Sequence, residues 1–164
     1  VRVSGGLEAL ALPRVAATAN LAVGVLGRRW RVELGGTYRA PTTARDDVHP
    51  EAGATIRLWT VAARGCGVLR PSVLEIPLCG GLEAGQAIGQ AYGYDGRRGQ
   101  APWLAAVVGP ALMWAPRRGF ALWLGVELGV PLIAGNFKSD DLGVLWTIRR
   151  ISLRAGFGLE VRFF

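Results

Sequence analysis

In the stretch RISLRAGFGLEVRFF, residues 150–164, apolar residues alternate with polar or glycine residues from Ile151 to Phe163. Successive side chains of a β-strand point to opposite faces of the sheet. One face of this stretch is therefore wholly apolar, and the other is charged or lacks a side chain. The stretch predicts a membrane-exposed strand. Its apolar positions are Ile151, Leu153, Ala155, Phe157, Leu159, Val161 and Phe163.

The composition favours an all-β protein. Hydrophobic residues make up 51% of the 164 positions, yet no charge-free run is both long enough and free of proline to be a convincing membrane helix of roughly 20 residues. The 24 glycines and 9 prolines disfavour a helical bundle. The length predicts one domain, residues 1–164. Because the sequence starts at Val1, we expect it to be a mature or excised part of a longer precursor.

The net charge of +7 comes almost entirely from arginine, since Lys138 is the single lysine. The arginines lie singly along alternating segments or as pairs in predicted turns, and they do not form one patch. This distribution argues against nucleic acid as a partner. Guanidinium groups at turns can instead pair with the phosphates of a polyanionic membrane surface.

Eight strand-like segments follow one another along the chain, with turn signals between them. Tight connections alternate with long ones, and only the first connection, 13–14, and the proline-containing connection 67–77 depart from that pattern. In the segment 52–66, Ile56 and Leu58 share a face with Cys66 while Arg57 shares a face with Trp59, so its orientation stays open and would need a bulge. The predicted strands are 1–12, 15–27, 30–39, 52–66, 78–91, 103–115, 120–130 and a closing strand from 149. The long loops are 41–51, 93–102 and 134–148.

The polar faces of these strands carry nearly balanced numbers of arginine and glutamate. Eight strands make a barrel just wide enough for side chains to fill its interior. Buried charges must be paired there. We therefore predict ion pairs across a filled lumen, with a narrow gated pore as the alternative. The predicted lumen ion pairs involve Arg31, Glu33, Glu83, Glu127, Arg154, Glu160 and Arg162, and the further inward positions are Arg2, Glu8, Asn20 and Arg39.

Cys66 and Cys79 flank a short segment whose neighbours pair naturally as a hairpin. Two cysteines are too few for a zinc site. In an oxidising compartment they would form a structural disulfide, contributing about 3 kcal/mol in the chain-entropy account. The alternative is two free buried thiols.

Four patterns resemble a family of uncharacterised small outer-membrane β-barrel proteins of high-GC Gram-negative bacteria: RGC at 64–66, LCGGLEAG at 78–85, PW at 102–103 and GLEVRF at 158–163. The resemblance implies a single antiparallel, eight-stranded up-and-down transmembrane barrel in the outer membrane. It also implies contact with the lipid bilayer, lipopolysaccharide and the barrel assembly machinery. The insertion signal that such machinery reads would be the closing-strand residues Phe157, Leu159, Val161 and Phe163.

Aromatic residues fall near the predicted strand ends. Trp30 and Trp114 lie beside proposed periplasmic turns, and Tyr38, Tyr92 and Tyr94 lie beside outer loops. This distribution is typical of two membrane-interface girdles.

No catalytic, metal-binding or cofactor-binding residue is predicted, and we expect a non-enzymatic protein with a structural or loop-mediated binding role. Glu33 and Glu127 could act as acid and base, but lumen carboxylates are typically partners of arginine. His49, beside Asp46 and Asp47, is more typical of a solvated loop than of a metal site. An outer-membrane hydrolase or acyltransferase remains an alternative.

Two other architectures remain as alternatives. A soluble calycin-like barrel that binds an apolar ligand would need an apolar interior and a polar exterior. Two membrane helices, at about 101–116 and 119–137, would place Pro110 and Glu127 in lipid.

Overall fold

A computed structural model of the chain describes residues 1–12, 14–45, 53–92, 98–117, 119–134, 137–139, 143–146 and 151–163. Four residues considered above as loop or interface residues lie outside the described ranges: His49, Asp46, Asp47 and Tyr94. No helix among the described residues is long and apolar enough to cross a membrane. Both segments considered as membrane helices lie mainly in β-strands, so that alternative is wrong.

Eight antiparallel strands close into a barrel, which confirms the predicted fold class. Each barrel strand pairs with the next one along the chain, and the last pairs with the first. Two backbone hydrogen bonds join the start of β1 to the end of β10. The amino group of Val1 donates to the carbonyl of Val161 at 2.7 Å, and the Val161 amide donates to the carbonyl of Val1 at 2.8 Å. The barrel strands are β1 (Arg2–Ala9), β2 (Ala16–Leu26), β3 (Trp30–Arg45), β4 (Gly53–Leu69), β5 (Leu74–Tyr92), β6 (Arg98–Arg117), β7 (Phe120–Ala134) and β10 (Ser152–Val161).

Two short strands, β8 (Phe137–Ser139) and β9 (Gly143–Trp146), form a separate two-stranded sheet between β7 and β10. The sequence predicted a loop over 134–148. Runs of three and four residues are too short to show an alternation, so this hairpin left no periodic signal.

The barrel has a turn end and a loop end. At the turn end β2 meets β3, β4 meets β5, β6 meets β7, and Val1 lies beside the end of β10. The opposite end of the barrel is called the loop end. The prediction that 67–77 is a connection is wrong, since the strands run on to Leu69 and resume at Leu74. Ser72, with φ 61°, allows this tight turn. Pro77 is tolerated in β5 because the pairing with β6 is interrupted at its position.

The strands β3 to β6 extend further than predicted at the loop end. They contain 16 to 20 residues, whereas a tilted membrane strand needs about 9–11. The predicted loops 41–51 and 93–102 are therefore too long, because β3 continues to Arg45 and β6 begins at Arg98. A register shift between Arg39 and Thr42 accommodates Pro41.

The orientation of β4 is now settled. Its register with β5 runs unbroken from Gly53 to Leu69, so no bulge lies in that pairing. Ile56 and Leu58 point inward and Arg57 points outward. The apparent conflict arose because the lumen is charged along most of its length but apolar at the loop end.

Candidate functional site

The middle of the lumen holds a group of six charged side chains from six different strands, here called the central cluster. Its three arginines and three glutamates balance to a formal charge of zero. The members are Glu8, Arg39, Arg64, Glu83, Glu127 and Arg154.

The ion pairs of the central cluster close on themselves. Arg39 donates to Glu8 and to Glu83, each at 2.5 Å. Arg154 donates to the same two carboxylates at 2.9 and 3.1 Å, which completes a four-membered ring. Arg154 also reaches Glu127 at 2.8 Å. Since Arg39 is 0% exposed, this charge is stable only because its partners surround it.

Arg64 ties a further strand to the central cluster. Its Nε donates to Glu127 at 2.7 Å and its Nη2 donates to the other oxygen of that carboxylate at 3.1 Å. Glu127 is thus held by two arginines, and β4, β7 and β10 are joined through one carboxylate.

A second group, the turn-end chain, runs from the lumen towards the turn end as an alternating line of charges. Its order is Arg2, Glu33, Arg31, Glu160, Arg162, Glu75, Arg70. Four arginines face three glutamates, so one positive charge is in excess.

The contacts of the turn-end chain weaken towards its outer end. Arg2 donates two hydrogen bonds to the Glu33 carboxylate, at 2.9 and 2.7 Å. Arg162 makes the same bidentate pair with Glu75, at 2.9 and 2.8 Å. The outermost pair, Arg70 with Glu75, is 3.4 Å apart, and the Arg70 side chain is 32% exposed.

An apolar layer closes the lumen on the loop-end side of the central cluster. Trp103 is its largest member, and the Arg39 guanidinium lies 5.8 Å from the centroid of that ring. The layer consists of Ala11, Leu12, Ala16, Ala54, Ile56, Leu58, Ala87, Trp103 and Ala105.

Between the central cluster and the turn-end chain lies a cavity of about 60 Å³, lined in part by Arg2, Glu33 and Arg64. It can hold a few water molecules. Trp123 fills the adjoining space. A Cβ on Gly125 would come within 2.3 Å of the Trp123 ring, so glycine is required there, and Arg2 stacks on that ring at 4.6 Å.

The predicted disulfide is present. Cys66 and Cys79 occupy directly paired positions of β4 and β5 and are joined. Both side chains point to the lumen, and Cys66 also lies opposite Arg31 on β3. The free-thiol alternative is wrong.

All seven residues predicted to form lumen ion pairs contact an opposite charge in the lumen. Glu33 and Glu127, considered as acid and base, belong to different groups, and each is held by two arginines. Among the described residues, no group of three His, Cys, Asp or Glu side chains could hold a metal ion.

Sequence reasoning missed Arg64, Glu75 and Arg70 as members of these groups. The first two share the inward phase of the neighbouring cysteine, so taking both cysteines as inward and extending their strands towards the turn would have identified them. Trp103 and Trp123 were not distinguished from the exterior tryptophans.

The exterior of the barrel is an apolar band with aromatic borders. Trp30 and Trp114 are exposed near the turn end, and Tyr38, Trp59 and Tyr92 are exposed nearer the loop end. From 30 to 38 there are nine residues and from 59 to Leu69 there are eleven, which matches a tilted transmembrane strand. The closing-strand residues Phe157, Leu159, Val161 and Phe163 all lie on this band, exposed.

Beyond the border at Tyr38 and Trp59, β3 to β6 continue as a projecting wall with a polar outer surface. The projecting wall comprises residues 42–45, 53–57, 88–92 and 98–101. Its outward side chains include Thr43, Thr55, Arg57, Gln90 and Gln100. The change from apolar to polar marks where the membrane ends on this side.

Comparison with known proteins gives matches to solved structures along nearly the whole chain. The crystal structure of Neisserial surface protein A matches with a TM-score of 0.70 and 13% identity over 99% of this chain and 94% of that one. The chain has the fold of the eight-stranded outer-membrane β-barrels. No protein-family model matches the chain, and no curated protein matches it.

Two structures of Ail, the attachment invasion locus protein of Yersinia pestis, also match. The complex with the heparin analogue sucrose octasulfate gives a TM-score of 0.60 and 14% identity, and the protein alone gives 0.56 and 13%. Each match covers 99% of this chain and 95% of the other.

The fold and the apolar exterior together place the chain in a bacterial outer membrane, as expected. Outer-membrane barrels have short periplasmic turns and longer extracellular loops, so the turn end of this chain corresponds to the periplasmic end of those barrels. A soluble calycin-like barrel would need the opposite arrangement of faces.

Proposed function

We propose that this protein is a non-conducting, non-enzymatic outer-membrane barrel that acts through a binding surface at its loop end. The single observation that supports this proposal most is the filled lumen. Two groups of ion pairs and the apolar layer occupy it, and the cavity between the groups is only about 60 Å³. A solute would have to break several buried ion pairs to pass.

Conductance tests the closed lumen. The refolded barrel, verified by a heat-dependent shift in gel mobility, is added to a planar lipid bilayer. We expect no discrete conductance steps from wild type. The matched positive control is the double variant Trp103→Ala with Glu83→Ala, which removes the largest side chain of the apolar layer and one bridge of the central cluster. Steps from the folded wild-type barrel would contradict the proposal.

The absence of an enzymatic role is supported by how the lumen carboxylates are held. Glu8, Glu33, Glu83, Glu127 and Glu160 each contact at least one arginine. An acid or base needs a carboxylate free to exchange a proton with a substrate, and ion-paired carboxylates beneath an apolar layer do not meet that need.

The loop-end binding role is supported by the projecting wall, which carries polar side chains clear of the bilayer. Arg57 lies on this wall just beyond Trp59, at the level where lipopolysaccharide phosphates would lie. The structural neighbour Ail was crystallised in complex with the heparin analogue sucrose octasulfate, which supports an anionic partner for a barrel of this fold. We therefore include lipopolysaccharide among the proposed partners.

Binding of purified lipopolysaccharide to the barrel in detergent tests the Arg57 assignment. We expect Arg57→Gln to weaken binding about fivefold, as expected for one cation at an anionic surface. Arg117→Gln, an exposed arginine near the turn end, is the matched control and should leave binding unchanged. Equal losses in the two variants would contradict the assignment.

We also propose that the barrel assembly machinery reads the closing-strand residues Phe157, Leu159, Val161 and Phe163. All four side chains point away from the lumen, so a protein could contact them before the barrel closes. A test with Phe163 appears among the predictions below.

A further inference from the structure

A cluster of arginines stands at the turn end on two neighbouring turns. Arg28 and Arg29 lie in the β2–β3 turn, and Arg70 lies in the β4–β5 turn. The turns are held together because the amide of Val68 donates to the carbonyl of Arg29 at 2.9 Å. We call these three residues the turn-end arginine cluster.

This cluster has an excess of positive charge. Among the described residues, no carboxylate forms an ion pair with Arg28 or Arg29, and Arg70 has only the 3.4 Å contact with Glu75. Glu75 is already held at two points by Arg162. The turn-end arginine cluster can therefore accept an external anion.

Apolar side chains lie directly beside these charges on the outer wall. Trp30 is 52% exposed and Leu69 is 70% exposed, and both belong to the lipid-facing band. Together with the turn-end arginine cluster and Val68, they line a surface depression of about 960 Å³. Cations above an interfacial tryptophan and a leucine make a surface with one charged and one apolar part.

We propose that this depression binds the headgroup of an anionic phospholipid in the periplasmic leaflet. The inference rests on the proposed membrane placement of the barrel. Guanidinium groups bind phosphate oxygens through paired hydrogen bonds, and clustered cations beside a bilayer select anionic lipids. Trp30 lies at the depth where headgroups meet acyl chains.

The wall next to the depression leaves room for an acyl chain. Gly65 and Gly67 follow Leu69 along the outer face of β4, and a Cβ built on either would meet nothing within 4 Å. Gly67 is paired with Trp30. The chain of a lipid whose phosphate contacts the arginines would run along this shallow track.

Native mass spectrometry of the barrel in mild detergent, with equimolar phosphatidylglycerol and phosphatidylethanolamine, tests the site. We expect wild type to retain phosphatidylglycerol in preference. Each of the substitutions Arg28→Gln, Arg29→Gln and Arg70→Gln should lower that preference about fivefold, and the triple variant should abolish it. The matched control is Arg14→Gln, an exposed arginine nearer the loop end, which should keep the preference.

Equal retention of the two lipids by wild type, or an equal loss in the control, would overturn the site. Each sample is also checked for the heat-dependent gel shift of a folded barrel, and the single variant Arg29→Gln is used if the triple variant does not fold. A protein that stays soluble without detergent and shows no shift would overturn the membrane placement itself. A folded barrel without lipid preference would overturn only the lipid site.

Discussion

The central cluster and the turn-end chain use the same two residue types but end differently. In the central cluster three arginines meet three glutamates, and the ring of Glu8, Arg39, Glu83 and Arg154 closes on itself. In the turn-end chain a surplus arginine, Arg70, reaches the exposed rim. Balanced charge closes the middle of the lumen, whereas an open-ended line of charges can extend to the solvent because its last member is exposed.

The largest effect should come from breaking the central cluster. Glu83→Gln leaves three arginines facing two carboxylates, with Arg39 fully buried among them. We expect the free energy of unfolding to fall by about 3–5 kcal/mol. Urea unfolding of the barrel in lipid vesicles, followed by tryptophan fluorescence, measures the change. A loss below about 1 kcal/mol would mean that water reaches this cluster.

Removing the disulfide should have the next largest effect. Cys66 and Cys79 are separated by 13 positions, so the double variant Cys66→Ser with Cys79→Ser should lose about 3 kcal/mol in the chain-entropy account. The same unfolding measurement applies, with reduced wild type as the control. If reduced wild type and the double variant differ widely, the serine hydroxyls disturb the lumen and the loss is not due to the cross-link alone.

The same substitution in the turn-end chain should cost less. Glu75→Gln leaves Arg162 with Glu160 and leaves Arg70 hydrated, so we expect a loss of about 2 kcal/mol, as for a hydrogen bond to a charged group. Side-by-side unfolding of Glu75→Gln and Glu83→Gln checks the contrast. Equal losses would remove the distinction between the closed and the open group.

The smallest effect on stability should come from Phe163→Ala. This side chain is 80% exposed and lies beyond the last paired residue of β10. We expect the unfolding free energy of the refolded barrel to change by less than about 0.5 kcal/mol, while the amount of barrel assembled in cells falls. Quantitative blotting of outer-membrane fractions gives the second measurement, with Phe120→Ala as the control. An unchanged assembled amount would contradict the proposed insertion signal.

Most of the correct predictions about strand faces and lumen residues came from the alternation of apolar and polar residues. The unbroken period of two in β10 and β3 identified which residues point inward, and the need to pair buried charges led from there to the lumen ion pairs. Cys66 and Cys79 were predicted as a pair because the segments that flank them pair naturally as a hairpin.

The partner of each arginine could not be predicted. Arg154 lies on the strand next to Glu8, but Arg39 meets Glu83 across the lumen, and such contacts depend on the tilt and stagger of the strands. The end of the hairpin at 67–77 was missed because Pro71 and Pro77 are typical of a connection. The apolar layer was missed because Ile56 and Leu58 break the rule that apolar residues face lipid.

The position of the disulfide bears on the order of events during assembly. Both cysteines point into a lumen whose wall is continuous and whose interior is filled, so an oxidising enzyme has no access to them once β1 has paired with β10. We therefore expect the bond to form while β4 and β5 are still an open hairpin. On that order, an oxidised barrel reports that its middle strands paired before β1 met β10.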